Sequence, residues 1–250
     1  MSDDTTQEVA LEVKEVRLGY GDLTAVWNVD LQAQAGRTMA LLGRNGAGKT
    51  TLLSGIAGLL PAKAGTVQLH GRDITSMAPW HRVEHGLGLV QEGKRIFRNL
   101  TVAENIAVSV PRTVARSKRA EAIERTWDRF PVLAERQAQR GGELSGGQQQ
   151  MLSIASAIVG NPSVLLVDEP SSGLSPLAVA QVFEVIDDLK REGLAILLVE
   201  QNVEEVLSGF ADDVAVIDQG RIVMRGEAGT ISVKAISDIM FGVEATAIVT

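Results

Sequence analysis

Cysteine is absent from the 250 residues, tyrosine occurs once, and aromatic residues make up only 4% of the chain. The first absence excludes disulfides, thiolate metal sites and cysteine nucleophiles together. Long apolar runs are missing too: no stretch approaches the roughly 18 residues that a membrane-crossing helix requires. Positive charge is in deficit, with 24 Lys and Arg against 31 Asp and Glu and a net charge of −7. That balance argues against a broad basic surface for nucleic acid or an anionic bilayer. The opening residues MSDDTTQE are acidic and polar with no apolar core, so they do not read as a secretory signal. What remains is ordinary globular material, 45% hydrophobic and 22% charged, of a length that suits one large α/β domain or two small ones.

The hydrophobic pattern alternates between two periods. Strands are expected at 11–18 and 25–35, and a short apolar run at 38–43 is stopped by glycine, with helical spacing over 49–60 behind it. Further strands are expected at 65–71 and 87–92. The character then changes, with helical patterns at 101–110 and 115–130, a glycine break at 141–147 and a helix from about 146 to 159. After it come a strand (163–169), a helix (179–193), a strand (194–200) and a short helix. Residues 213–227 read as a hairpin turning at Asp218-Gln219-Gly220. Strands alternating with helices predict a mostly parallel sheet with helices on both faces, and the helical stretch at about 93–160 reads as an insertion. No internal repeat or low-complexity segment interrupts this order.

The first chemical signal is GRNGAGKT (43–50), which matches G-x-x-x-x-G-K-[ST] between a strand and a helix. Gly43, Arg44, Asn45, Gly46, Ala47 and Gly48 form a loop whose backbone N–H groups can close around phosphate oxygens, aided by the helix N-terminus. Lys49 is expected to reach the β- and γ-phosphates, Thr50 to bind Mg²⁺, and Thr51 to bond a phosphate nearer the base. The second signal is SVLLVDE (163–169): four apolar residues deliver Asp168 to a strand end, where it can hold magnesium through water. Glu169, on the opposite side of the chain, can orient or deprotonate an attacking water. The third is LSGGQ, residues Leu144, Ser145, Gly146, Gly147 and Gln148, a second anion site at a helix start. Two phosphate sites in one small chain make sense when two such domains pair head to tail and each closes the other's site.

In this order and spacing, the three segments resemble ATP-binding cassette (ABC) ATPases over about residues 10–230. The resemblance implies a P-loop, RecA-like α/β core, an antiparallel β part and a helical subdomain at about 93–160, within one ATP-binding domain covering 1–250. It implies ATP and Mg²⁺ as ligands, ATP sandwiched between two subunits, and Tyr20 in LGYG stacking on adenine. A narrower likeness lies in QEGKRIFRNLTVAEN (91–105), FPVLAERQAQRGGELSGGQQQML (130–152), DEPSSGLSP (168–176) and LLVEQNVEE (197–205). These look like an ATPase subunit of importers of branched-chain amino acids. The implied partners are two membrane permeases, a sister ATPase and an extracytoplasmic solute-binding protein. The implied place is cytoplasmic, peripheral on the inner face of the membrane, with no membrane insertion of its own and no nucleic acid. An importer of urea, short amides or another small solute is the near alternative, and an ABC ATPase acting on DNA or ribosomes the distant one.

The chain departs from the family pattern at four points. Gln201 stands where the wider family carries a histidine that contacts the γ-phosphate; its amide can donate a hydrogen bond but carries no proton or charge. Glutamine is usual there in the branched-chain branch. Counting back five from Phe97, the family's metal-contacting glutamine falls at Glu92, with Gln91 one place upstream, and either offers an oxygen ligand. Ser175 replaces an aspartate that communicates across the dimer, and Ser156 stands where many relatives have arginine.

Two other patterns carry less. HRVEH (81–85) matches a zinc-peptidase pattern, but it follows Pro79-Trp80 in a short amphipathic stretch, and the phosphate motifs explain the chain better. The basic cluster at 111–125 has no interleaved aromatic residue, and Glu121 and Glu124 dilute it, so it reads as a solvated helix face.

Overall fold

In a computed structural model, residues 8–241 are described; the polar start up to residue 7 and the tail at 242–250 lie outside the described residues. The chain opens with two long strands, β1 (Val9–Tyr20) and β2 (Leu23–Gln34), paired antiparallel. They are followed by β3 (Thr38–Leu42), α1 (Lys49–Ile56), β4 (Ala64–Leu69), β5 (Arg72–Asp73), α2 (Pro79–Glu84) and β6 (Leu87–Val90). Four helices then fall within the expected insertion: α3 (Val102–Ser109), α4 (Arg116–Arg129), α5 (Pro131–Ala134) and α6 (Gly146–Ile158). The chain returns through β7 (Val164–Asp168), α7 (Pro176–Arg191), β8 (Ala195–Glu200) and α8 (Val203–Glu205), then β9 (Asp213–Asp218), β10 (Arg221–Glu227) and α9 (Val233–Phe241).

Two sheets result. The smaller runs β2-β1-β4-β5 and is antiparallel throughout. The larger runs β10-β9-β3-β8-β7-β6, parallel from β9 to β6 and closed at one side by the antiparallel β10. β7 and β8 are apolar at every position but the last because both of their faces are covered. Leu165, Val167, Ile196 and Leu198 face helices α6 and α7, packing with Leu152, Ile154, Phe183 and Ile186. Val164, Leu166, Leu197 and Val199 face the other way, toward Leu18 of β1 and Leu52, Leu53 and Ile56 of α1. Helices therefore lie on both faces as expected, but on the second face α1 shares the cover with the antiparallel sheet. Each fully buried Leu, Ile or Phe contributes about 1.5–3 kcal/mol of burial, so these two seams anchor the strand ends that carry the polar residues.

The boundaries have local causes. α1 stops at Ile56 rather than running on to residue 60, because Gly58 turns left-handed at φ 77° and the last carbonyls are claimed elsewhere. Arg82, buried in α2, donates to the Gly55 and Ile56 carbonyls at 2.9 and 2.6 Å, to Thr75 at 2.7 Å and to Met77 at 3.1 Å. A guanidinium at a helix C-terminus satisfies orphan carbonyls and complements the dipole. α7 begins three residues earlier than its periodicity suggests: Ser175 caps it by accepting from the Ala178 amide at 3.4 Å, with Pro176 at the first helical position. The β9–β10 hairpin turns where expected, with Gln219 and Gly220 at φ 46° and 76°, as a two-residue turn of this hand requires.

Candidate active site

β3, β7 and β8 lie side by side, and their C-terminal ends open at one edge of the sheet. Such an edge is where open α/β sheets place ligands. Residues 43–48 leave β3 as a loop and enter α1 through Gly48, whose φ of 108° no L-residue adopts without strain. A side chain at Gly43 would collide with the Ile217 carbonyl at 2.5 Å. The hairpin turn braces the loop from behind: the Gly220 amide donates to the Ala47 carbonyl at 2.8 Å, and the Gly220 carbonyl accepts from Trp27 at 2.8 Å. The loop is thus tied to the hairpin turn by a backbone bond, and that turn to β2.

Lys49 is buried, and its ammonium donates to the Gly43 and Arg44 carbonyls at 2.9 and 3.2 Å. The same nitrogen lies 3.3 Å from Oε1 of Glu169, while Oε2 of Glu169 accepts from the Gln201 amide at 2.6 Å. The two oxygens of Glu169 thus have separate partners, one cationic and one neutral. Glu169 sits at φ 45°, an uncommon conformation for a side chain of its size, held by its amide donating to the Val199 carbonyl at 2.9 Å. Thr50 Oγ1 lies 3.5 Å from Oδ1 of Asp168. Burial pushes the Asp168 carboxyl up to about 6; the Thr50 hydroxyl opposes the rise, and the charges of Glu169 and Glu92 add to it.

An open cleft of about 370 Å³ is lined by Asn45, Gly46, Gly48, Lys49, Thr50 and Thr51 from the loop and α1, with Glu92, Glu169 and Gln201 facing them, while Asp168 is buried and outside its wall. Ala25 and Ser172 complete its wall. Gly43, Arg44 and Ala47 serve from behind, through their carbonyls and packing. Of the two candidates Gln91 and Glu92, Glu92 lines the cleft, whereas Gln91 lines a separate cavity beside Ser153 and Ser156. Thr50, Asp168 and Glu92 supply oxygen donors only, the kind of set that suits a hard divalent cation, and magnesium is commonly held by one or two carboxylates plus substrate phosphates. Tyr20, at the end of β1, is 59% exposed and is not part of the cleft wall.

The LSGGQ segment does not line this cleft at all. Ser145 caps α6, accepting from the Gln148 amide at 3.3 Å while Gln148 Oε1 accepts from the Ser145 amide at 3.1 Å. This reciprocal pair orders the helix start. Leu144 is buried, Ser145 and Gly146 are exposed, and a Cβ at Gly147 would come within 2.8 Å of the Ala178 side chain. The histidine pattern at 81–85 does not converge: His81 pairs with Glu84 at 2.7 Å, while Nδ1 of His85 lies 2.6 Å from the His81 carbonyl. In the basic cluster, Arg125 pairs with Glu121 at 2.7 Å on the exposed side of α4.

Sequence reasoning passed over three residues near the site. Ala25 and Ser172 line the cleft without any recognisable motif of their own. Glu200 is only 2% exposed, and burial pushes its carboxyl up against the hydrogen bonds of Ser171 and Gln201. A carboxylate ending a wholly apolar strand was the available signal.

The overall fold agrees with that of known proteins. The ABC transporter family profile matches residues 26–172. The high-affinity branched-chain amino acid transport ATP-binding protein BraG of Pseudomonas aeruginosa is 38% identical over 214 residues, covering 86% of this chain and 91% of its own. The probable branched-chain amino acid transport ATP-binding protein LivF of Archaeoglobus fulgidus is 37% identical, over 87% of this chain and 92% of its own. Among solved structures, a nucleotide-free ATP-binding cassette from an ABC transporter superposes with a TM-score of 0.78 at 26% identity, covering 88% of this chain and 91% of that one.

Proposed function

We propose, from the premise that this chain belongs to the ABC transporter family, that it powers the import of branched-chain amino acids as one of a pair of ATPase subunits. That it is an ATP-hydrolysing transporter subunit follows from the family; the solute, the partners and the residue roles are the proposal. The observation that carries the residue roles is the meeting of Lys49, Glu169 and Gln201 beside the glycine loop.

ATP lies along the loop, its phosphates taken by backbone N–H groups of residues 45–51 and by Lys49, which exchanges its carbonyl partners for phosphate oxygens. Thr50, Asp168 and Glu92 would hold Mg²⁺, which when bound neutralises phosphate charge. Glu169 orients the attacking water and takes its proton, and Gln201 holds the Glu169 carboxylate in place and donates to phosphate once released. Tyr20 stacks on the base from the exposed end of β1. Leu144, Ser145, Gly146, Gly147 and Gln148 serve the ATP of a second cassette. What supports this is the exposure of Ser145 and Gly146 at an ordered helix start, away from the chain's own cleft.

The solute assignment rests on the printed names of BraG and LivF together with the VEQN and EGKRIF segments. The whole chain acts as one nucleotide-binding domain with a helical subdomain at about 93–160. It works at the cytoplasmic face of the membrane, docked on two permeases that receive solute from an extracytoplasmic binding protein. Among the described residues no helix is long and apolar enough to cross a membrane, so the docking runs through partners.

The test is Glu169→Gln. The variant should bind ATP as the parent does and lose turnover by on the order of 10²–10⁴-fold, the usual contribution of a positioned base. Hydrolysis at the parental rate would remove Glu169 from its role. Tagged chain recovered from mildly solubilised membranes should bring two permeases and a second cassette; recovery with ribosomes or DNA would overturn the transport reading.

A further inference from the structure

Glu200 is the last residue of β8, behind five apolar residues that are fully buried. A carboxylate placed so deep is strongly disfavoured unless hydrogen bonds meet it. Its partners are two backbone amides, not a cation. Oε1 accepts from the Ser171 amide at 3.0 Å, and Oε2 accepts from the Gln201 amide at 3.2 Å. Ser171 belongs to the loop that leaves β7 directly after Asp168 and Glu169, and Gln201 is the first residue beyond β8. The two chain segments that exit neighbouring parallel strands are therefore pinned to one buried carboxylate.

The pinned segments carry the groups that meet in the cleft. Glu169 Oε2 accepts from Gln201 Nε2 at 2.6 Å, so a shift of either exit changes that bond directly. The same loop continues through Ser172, which lines the cleft, to Ser175, which caps α7. Glu169 is held at φ 45°, a conformation that persists only where its surroundings over-determine it.

We propose that Glu200 is a positioning residue for ATP hydrolysis, fixing the relative place of the Glu169 and Gln201 exits through its two carboxylate oxygens. It touches no reacting atom and acts only through these neighbours. The inference rests on the reading of Glu169 as the group that handles the attacking water. Glu200→Gln keeps the volume and one acceptor oxygen but turns an NH₂ toward one of the two amides. Glu200→Ala removes both acceptors.

The experiment is steady-state ATP hydrolysis by the full chain assembled with the partners that co-purify with it. ATP affinity and thermal unfolding are followed alongside. Glu200→Ala is expected to lower kcat by on the order of 10²-fold, the cost of a small misplacement at a reacting centre, with ATP affinity within about twofold. Glu200→Gln is expected to fall between Ala and the parent. On a Glu169→Gln background either change should add nothing further, since both act on one step. Parental kcat in both Glu200 variants overturns the proposal, as does a loss that multiplies with that of Glu169→Gln. A drop in ATP affinity with kcat intact also overturns it. Should Glu169→Gln itself keep parental turnover, it is the reading of Glu169 that fails, a result separable from the first.

Discussion

Two glycine-rich segments of this molecule open helices, and they end up in opposite conditions. The loop before α1 has Arg44, Asn45 and Gly46 exposed but is backed by its own chain: its lysine is buried and bonded to the loop's own carbonyls, its backbone is braced by the hairpin turn, and acidic and amide side chains face it across an open cleft. The segment before α6 is open: its serine and first glycine are exposed, its cap is satisfied internally, and no carboxylate or lysine of the cleft meets it. The same local chemistry, N–H groups at a helix start, meets a buried lysine and facing carboxylates of its own chain in the first case and neither in the second. The neighbours that the fold brings together make the difference. In the proposed reading, the second segment serves the ATP of a second cassette.

Four measurements bear on this contrast. The largest effect is expected from Lys49→Ala, which strikes the segment before α1 alone. ATP affinity should fall by on the order of 10- to 100-fold, the loss of a charge-assisted contact, and hydrolysis should fall further; titration with a fluorescent nucleotide reads the first. Undiminished affinity would mean that the loop's amides suffice.

Next is the pH dependence of stability in the metal-free chain. The Asp168 carboxyl is raised from its ordinary 3.8 to about 6 in the folded state. The folded state therefore binds more protons than the unfolded chain across that range, and stability falls as pH rises from about 4 to about 6. The Asp168 contribution is at most about 3 kcal/mol. Adding Mg²⁺ should flatten the slope, and denaturant unfolding at several pH values checks both.

A third measurement asks how tightly the open segment is seated on its own chain. Gly147→Ala puts a methyl within 2.8 Å of Ala178, so α6 or α7 must shift, at about 1–3 kcal/mol of overpacking. Thermal unfolding should register it. The smallest effect is expected from Ser145→Ala. Losing the cap costs about 1 kcal/mol, and ATP-driven association with a second cassette should weaken more than ATP binding to the separated chain. Equal losses in both would place Ser145 in the chain's own site and erase the contrast.

The starts of α1, α3, α4 and α6, the glycine loop, the Asp168-Glu169 pair and the hairpin turn are legible in residue order. Each depends on local rules: a cap, a positive φ, an apolar run ended by a polar residue. The face of the large sheet covered by β1, β2 and α1 was not legible, because an apolar strand looks the same whether a helix or a sheet covers it. Which of Gln91 and Glu92 lines the cleft was not legible either. Adjacent residues on a turn differ by direction, and direction is set by what packs beneath. Ala25 and Ser172 carry no chemistry that would mark them in sequence.

The sequence by itself determined the chemistry available: a phosphate loop with its lysine, a carboxylate pair at a strand end, a second helix start of the same kind, and glutamine in place of histidine at 201. These are properties of residue type and spacing along one chain, and short-range sterics enforce them. Tertiary structure alone decided which of these groups share a cleft. It brought Lys49, Glu169 and Gln201 into contact across three strands, left Ser145 facing outward, and set Glu200 beneath two chain exits. The physical reason is that strand order in the sheet, β3-β8-β7, is fixed by burial summed over both faces, a quantity that no local stretch of sequence contains.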